Sequence, residues 1–233
     1  MPEVVKVCYA SQRKHKPENV EHILITLKNY QQYIQIPDYI VDKYEQGYIS
    51  AAHFSDVIRF CLLSKYGGMW LDSTVYVSSD IPINYVDTYY YTQKADDPNL
   101  YLNEPSRAQW CGFIWGGSKY NPVFAFVRDA LFLYWEKHNL AIDYIFFDYI
   151  ILEAYKEVES IKEMIEGQEA NNEEIWALWK VINDVFDPDE YAKICSTNLF
   201  HKLSYKRRLV KHIDEQCTYY GHIYNDYTQT EGY

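Results

Sequence analysis

The sequence predicts an α/β fold, in which helices pack against a sheet. The stretch Ser50–Val77 supports this class, because it has the pattern of a helix, a two-glycine stop and a short strand. The chain has 233 residues, of which 48% are apolar and 24% are charged, so it can bury one sizeable core. It contains neither an internal repeat nor a linker, and we therefore expect a single domain over residues 1–233.

The helix of this stretch is predicted by the spacing of its apolar residues. One helix face carries Phe54, Val57, Ile58, Cys61 and Leu62. Ser50 fits an N-cap, and Gly67 and Gly68 end the helix because glycine adopts the left-handed conformation without a Cβ clash. The strand follows at Met69–Leu71.

The charged residues of this stretch are the first candidates for function. Asp56 and Arg59 are three residues apart and therefore share a helix face. Asp72 follows the strand, and ligands of open α/β sheets bind beyond the carboxyl ends of the strands. The alternatives are a solvated ion pair for Asp56 and Arg59, and a turn residue that bonds its own backbone for Asp72.

The chain before this stretch is predicted as a helix, a strand and a second helix. Pro2–Lys14 has a helical pattern with a proline in its first turn. The short apolar run His22–Thr26 predicts a buried strand. Tyr30–Glu45 predicts a helical lead-in that Pro37 interrupts.

The later elements follow from the same kinds of pattern, with a polar loop expected at Gln93–Arg107 and a frayed tail at Tyr224–Tyr233. The predicted strands are Thr74–Val77, Val86–Thr92 and Gln109–Trp115. The predicted helices are Pro122–His138, the apolar Ala141–Tyr155, the acidic Val158–Lys180 and a short helix from Pro188.

Composition excludes some classes of partner. The net charge is −11, from 22 basic and 33 acidic residues, which argues against nucleic acid. The 25 tyrosines present flat rings with a hydroxyl, which suits sugars, although packing at the edges of the core explains most of them. Arg207, Arg208 and Lys211 either face anionic lipid headgroups or form a solvated basic helix.

Five scattered cysteines without a C-x-x-C pair indicate reduced thiols rather than a disulfide framework or a zinc site. No apolar run approaches the length of a membrane span, and the first residues lack an apolar signal segment. We therefore expect a soluble cytoplasmic protein, with peripheral contact at the inner face of the membrane.

Three motifs resemble the capsular polysaccharide synthesis proteins, which belong with the family-32 type glycosyltransferases of the GT-A fold. The first is S-D-x-x-R at Ser55–Arg59, followed by Y-G-G-x-W-x-D-x-T at Tyr66–Thr74. The others are Trp110–Gly117 with the Asn-Pro that follows it, and Phe200–Lys206. The resemblance covers nearly the whole chain. It implies a mostly parallel central sheet flanked by helices and a helical C-terminal part.

Enzymes of the GT-A fold begin with a strand before their first helix. This sequence begins inside what resembles that helix, so we expect the first strand to be missing.

The resemblance also implies roles for individual residues near the D-x-D position. Asp72-Ser73-Thr74 stands there, with Thr74 in place of the second carboxylate. The resemblance implies that Thr74 contributes to binding of the donor. Asp72 is implied as a catalytic residue that contacts the ribose and a divalent metal, Mn²⁺ or Mg²⁺. Asp56 and Arg59 are implied to hold the donor sugar and the diphosphate side.

The C-terminal motif and the second apolar helix supply the other candidates. His201 is implied as a metal ligand, and Lys202 and Lys206 as cations that neutralise the diphosphate. A solvated or capping histidine is the alternative for His201. Asp143 resembles a position in the catalytic region, with a helix N-cap as its alternative, while Asp148 in the same apolar segment needs a partner if it is buried.

The implied activity is transfer of a sugar from a nucleotide-sugar donor to a polysaccharide or glycolipid acceptor, with retention of anomeric configuration. No residue identifies itself as a covalent nucleophile, which favours attack from the front face. A glycan- or nucleotide-sugar-binding remnant stays open, because of Thr74 and the expected lack of the first strand. A nucleotidyltransferase would need a glycine-rich phosphate loop, and the sequence has none.

Overall fold

The computed structural model describes residues 1–97, 102–172 and 174–228. The chain forms two compact units, each built from separate segments. Unit 1 comprises Met1–His22, Leu71–Ile83 and the described part of Ala170–Tyr233. Unit 2 comprises Ile23–Trp70 and the described part of Asn84–Glu169. The single domain expected from the sequence stays a prediction.

The helices and strands are numbered in chain order. The described helices are α1 (Glu3–His15), α2 (Asp38–Glu45), α3 (Ala51–Tyr66), α4 (Ile83–Val86), α5 (Pro122–Lys137), α6 (Phe146–Glu157), α7 (Glu159–Gly167), α8 (Ala177–Val181), α9 (Pro188–Thr197) and α10 (Tyr219–Thr228), with a 3-10 turn at Tyr30–Gln32. The described strands are β1 (Gly68–Leu71), β2 (Val75–Val77), β3 (Tyr90–Tyr91), β4 (Ile114–Gly117), β5 (Phe200–Lys202), β6 (His212–Ile213) and β7 (Gln216–Cys217).

Unit 2 is organised around α3, which packs against α5. The hydroxyl oxygen of Ser50 accepts a hydrogen bond from the backbone N–H of His53 at 3.2 Å and caps the start of α3, as predicted. Gly67 ends the helix with a φ of +70°, also as predicted. Asn121 caps α5 by accepting from the backbone N–H of Val123. Large apolar side chains of both helices form the centre of the core, including Phe54, Phe60, Phe124 and Trp135.

Unit 1 is organised around the antiparallel pair β2 and β5, against which α1 and α8 pack. Its core joins Val4 and Val7 of α1 with Leu178 of α8 and Tyr219 and Ile223 of α10. β6 and β7 form a separate antiparallel hairpin.

The expected mostly parallel central sheet is corrected by the strands that the structure describes. The sheets are small, with strand orders β1-β4-β3, β2-β5 and β6-β7. The pairings β2 with β5, β3 with β4 and β6 with β7 are all antiparallel. The fold is therefore a mixed, helix-rich α/β fold with small antiparallel sheets.

Several predicted elements differ in extent. His22–Thr26 is not a strand, because no strand within the described residues pairs with it. Ile23 in this run is 39% exposed rather than buried. Strand β4 begins five residues later than predicted, at Ile114, and the segment predicted as Val86–Thr92 pairs only at Tyr90–Tyr91. The predicted loop is irregular in its described part, and residues 98–101 lie outside the described residues.

Differences also occur toward the C-terminal end. The apolar helix begins at Phe146 rather than Ala141. Helix α10 extends to Thr228, so the first part of the expected tail is helical, and residues 229–233 lie outside the described residues. Among the described helices, none is long and apolar enough to cross a bilayer.

Candidate functional site

The predicted site residues fall in both units, and each group is described within its own unit. In unit 1 the Asp72 carboxylate lies just after β1 and forms an ion pair with Lys202, with 2.8 Å between Oδ2 and Nζ. Both side chains are partly buried, at 25% and 18% exposure. The Gln12 amide donates to the backbone carbonyls of Asp72 and Val75 at 3.0 and 2.7 Å, which fixes the turn between β1 and β2.

His201 points away from this ion pair. Neighbouring residues of a strand project to opposite faces, and the register places Lys202 opposite Val75 and His201 opposite Tyr76. The fully buried His201 ring packs against Tyr76, and its Nε2 lies 3.1 Å from the hydroxyl of Ser78. Burial lowers the pKa of His201 to about 4, so the imidazole is neutral at physiological pH.

The residues present do not fit the metal site that the sequence predicts. Asp72 and His201 are on elements that pair, but their side chains reach different neighbours, and the Lys202 ammonium already contacts the Asp72 carboxylate. Within residues 1–97, 102–172 and 174–228, no three His, Cys, Asp or Glu side chains are placed to share a metal ion. Metal dependence stays a prediction.

The other predicted residues of unit 1 differ in exposure. Thr74 is buried, and its backbone carbonyl accepts from the N–H of Leu203 at 2.9 Å. Lys206 is exposed in the segment that follows β5. This basic segment is not a helix: Arg207 lies over the ring of Trp179, and Lys211 forms a 3.0 Å ion pair with Glu3.

In unit 2, Asp56 and Arg59 form a buried ion pair rather than a solvated one. The guanidinium Nη1 lies 2.9 Å from the carboxylate Oδ1, and the side chains are only 10% and 5% exposed. The guanidinium carbon lies 5.2 Å from the ring centroid of Trp70 and 5.1 Å from that of Phe147. Burying two charges costs free energy even when they are paired, so this arrangement marks a candidate site rather than a device for stability.

Asp148 is a residue that the sequence analysis did not place in the site. It lies in the first turn of α6, is 8% exposed, and accepts a hydrogen bond from the Trp110 indole at 2.7 Å. Burial raises the pKa of Asp148 to about 7, although the Trp110 bond and the Arg59 charge lower it. The available signal was an aspartate within an apolar helix, since such a residue needs a partner.

Asp143 occupies a different environment. Its side chain is exposed, and its Oδ1 accepts from the backbone N–H of Ile145 at 3.1 Å, just before α6 begins. Its backbone carbonyl lies 3.1 Å from Nε2 of His53. The N-cap position of α6 is Ile145, so Asp143 is not the helix N-cap that the sequence offered as its alternative role. Asp143 instead forms a local turn by accepting from the backbone two residues on.

A family model described as capsular polysaccharide synthesis protein matches residues 1–223. Neither a curated protein nor a solved structure matches the chain.

Proposed function

The chain belongs to the capsular polysaccharide synthesis protein family, and from this membership we propose that it is a glycosyltransferase. It transfers a sugar from a nucleotide-sugar donor to a polysaccharide or glycolipid acceptor during synthesis of a surface polysaccharide. The assignment to the family-32 type and to the GT-A fold is part of this proposal and rests on the run Asp72-Ser73-Thr74 with the helix and glycine pair before it.

The observation that carries the proposal is the buried ion pair of Asp56 and Arg59 in unit 2. An apolar pair of similar volume would stabilise the helix as well or better, so the charges are most readily explained by a ligand. A carboxylate accepts hydrogen bonds from sugar hydroxyls, and a guanidinium donates two parallel bonds to oxygen atoms. The aromatic rings of Trp70 and Phe147 beside Arg59 are of the kind that line sugar sites.

In unit 1 we assign the diphosphate to the cations Lys202 and Lys206, with Asp72 as the residue that orients Lys202 and contacts the ribose. The 2.8 Å ion pair supports this assignment, because Asp72 holds the Lys202 ammonium in one position. A positive charge beside the leaving group stabilises the negative charge that develops as the glycosidic bond breaks. No step is assigned to a metal or to His201, because Lys202 already pairs with the Asp72 carboxylate and the buried His201 contacts Ser78 instead.

The proposed transfer retains the anomeric configuration, with the acceptor hydroxyl attacking on the face from which the diphosphate departs and a diphosphate oxygen taking its proton. Asp143 is proposed to act in the catalytic region; its carboxylate is exposed and therefore accessible to an acceptor. Analysis of the product by NMR checks the stereochemistry, and an inverted product would refute this mechanism.

Contact with a membrane surface is the proposed setting when the acceptor is a glycolipid. Arg207 and Arg208 are exposed, and no acidic residue interrupts the sequence between Lys202 and Ile213. Anionic headgroups attract such basic segments.

A second candidate function is binding of a nucleotide sugar without transfer. The observation that favours it is Thr74, which replaces the second carboxylate of the motif and is buried. This candidate predicts donor binding with no release of nucleoside diphosphate.

The experiment that tests the proposal is a thermal-shift screen of nucleotide sugars, because a ligand that binds the folded state raises its melting temperature. We expect one donor to stabilise the chain, and Asp56→Asn to abolish that shift. The matched control is Asp129→Asn, which changes an aspartate paired with Arg128 at the exposed surface of the same unit. If no donor stabilises the wild-type chain, the proposal fails.

A further inference from the structure

Unit 2 contains a second buried carboxylate, Asp148, which is not part of the ion pair of Asp56 and Arg59. Asp148 Oδ1 accepts from the Trp110 indole N–H, and no second hydrogen bond reaches this side chain from residues 1–97, 102–172 or 174–228. The residue beside it, Phe147, packs against the Arg59 guanidinium. Asp148, Trp110 and Arg59 therefore belong to one local cluster, contributed by α6, the segment before β4 and α3.

We propose that Asp148 is a binding residue for a sugar hydroxyl, and that its second carboxylate oxygen accepts a hydrogen bond from the sugar of the donor. This inference rests on the proposed function and extends it, because it assigns the sugar part of the donor to a residue of unit 2 that neither the sequence motifs nor the family match assigns. The ligand class is a hydroxyl-bearing ring.

The burial of Asp148 carries an energetic cost. The residue is 92% buried with one hydrogen-bond donor, although a carboxylate has sites for about four. Burial of a carboxylate costs free energy, and an apolar residue on this turn of α6 would pack without that cost. Among the described residues, the second oxygen of Asp148 is not one of the fully buried atoms that lack a partner, so a ligand can reach it. A hydroxyl of a bound ligand would donate to the second carboxylate oxygen, so binding of the ligand offsets part of the cost of burying Asp148.

The charged groups around Asp148 allow its protonation state to serve as a readout. Arg59 from α3 favours the ionised form, while Glu104 from the segment before β4 disfavours it, and Asp56 is paired with Arg59. Burial is the largest influence and raises the pKa of Asp148 to about 7. An ionised carboxylate accepts stronger hydrogen bonds than a neutral acid, so the sugar should bind more tightly as the pH rises through this value.

The test compares two probes on the full chain: the nucleotide sugar that stabilises it, and the matching nucleoside diphosphate without the sugar. The sugar's contribution is the ratio of their dissociation constants, measured by calorimetry. We expect Asp148→Asn to weaken binding of the nucleotide sugar about tenfold and to leave the affinity for the nucleoside diphosphate unchanged. From about pH 6 to about pH 8 the affinity of the wild-type chain for the nucleotide sugar should rise relative to that of Asp148→Asn. This comparison uses one ligand, so titration of the terminal phosphate of the nucleoside diphosphate does not enter it.

Two further variants keep the test decisive. Glu153→Gln changes an exposed carboxylate on the same helix, which pairs with Lys156, and should leave the ratio unchanged. The hydrogen bond from the Trp110 indole lowers the pKa of Asp148. Trp110→Phe removes this donor, so the pKa of Asp148 should rise, and the pH midpoint of sugar binding should move upward with it. Because this variant retains the Asp148 carboxylate, its pH midpoint tests the proposal even if Asp148→Asn does not fold.

Each remaining outcome overturns the assignment in a distinguishable way. If the nucleotide sugar and the nucleoside diphosphate lose affinity equally in Asp148→Asn, the residue is structural. If the ratio and the pH dependence of nucleotide-sugar affinity stay at wild-type values, Asp148 does not contact the sugar, while the proposed function stands. If the wild-type chain binds no nucleotide sugar, the proposed function fails and this assignment fails with it.

Discussion

The Lys202 ammonium lies 2.8 Å from the carboxylate Oδ2 of Asp72, so residues 130 positions apart in sequence form an ion pair in unit 1. The antiparallel register of β2 and β5 produces this pair, because it places Lys202 opposite Val75, three residues after Asp72. Both side chains are partly shielded from water, which strengthens their attraction relative to an exposed pair.

Replacing Lys202 by glutamine should weaken binding of a nucleoside diphosphate by about tenfold or more, because a partly buried cation next to phosphate is lost. Titration calorimetry measures the effect. The control is Lys193→Gln, which removes the same charge from the exposed face of α9 in unit 1 and should bind as the wild type does. Equal affinities of both variants would show that Lys202 does not contact the diphosphate.

Removing one partner of the buried pair in unit 2 should be costly. Arg59→Met leaves the Asp56 carboxylate buried and should lower the free energy of unfolding by about 3–5 kcal/mol. The double variant Asp56→Leu/Arg59→Met should recover most of that loss, because neither charge remains. Urea denaturation measures both values.

The exposed ion pair of Arg128 and Asp129 provides the control for this prediction. Its side chains are 32% and 58% exposed, so Arg128→Met should cost less than about 1 kcal/mol. A similar loss at Arg59 and Arg128 would contradict the claim that burial sets the cost.

Gly67 should not tolerate a side chain. Its φ is +70°, and an added Cβ would lie 2.7 Å from both the Gly117 carbonyl oxygen and the Lys119 nitrogen. We expect Gly67→Ala to destabilise the chain by about 2 kcal/mol or more, measured by urea denaturation. Gly167→Ala at the end of α7, where a Cβ meets no atom within 4 Å, should instead stabilise by about 0.5 kcal/mol. The same sign for both variants would contradict the account.

The buried His201 should make unit 1 sensitive to acid. The pKa is about 4 in the folded state and 6.5 ordinarily, so the unfolded state binds more protons between these values. Stability therefore falls as the pH drops through this window, by about 2 kcal/mol between about pH 7.5 and about pH 5. Denaturation of the wild type and of His201→Gln at both pH values measures the difference, and an equal loss in both would rule out this origin.

Local signals predicted the ends of α3 and the start of α5, but the segment predicted as one helix at Val158–Lys180 corresponds to two separate helices, α7 and α8. The apolar spacing predicted α3, and its ends were predicted by Ser50 and Gly67. The Asn-Pro at residues 121–122 predicted the start of α5. These signals act within a few residues, so the sequence alone contains them. The run His22–Thr26 failed as a strand because pairing depends on a distant partner that an apolar run does not specify.

The candidate site was predicted in its residues but not in its arrangement. The sequence named Asp72, His201 and Lys202, but only the register of β2 and β5 decides which of the last two faces Asp72. The spacing of Asp56 and Arg59 predicted that they share a helix face. It did not predict their burial, because burial depends on Trp70 and Phe147, which pack against Arg59 in the folded chain.

The most direct test of the proposed function measures release of nucleoside diphosphate from a panel of nucleotide sugars, with and without a glycan or glycolipid acceptor, using the wild-type chain and Asp72→Asn. The proposed function predicts that one donor releases nucleoside diphosphate, that the acceptor makes this release faster, and that it is at least about tenfold slower in Asp72→Asn. Binding of a donor with no release under any condition, or equal release by both proteins, would contradict it.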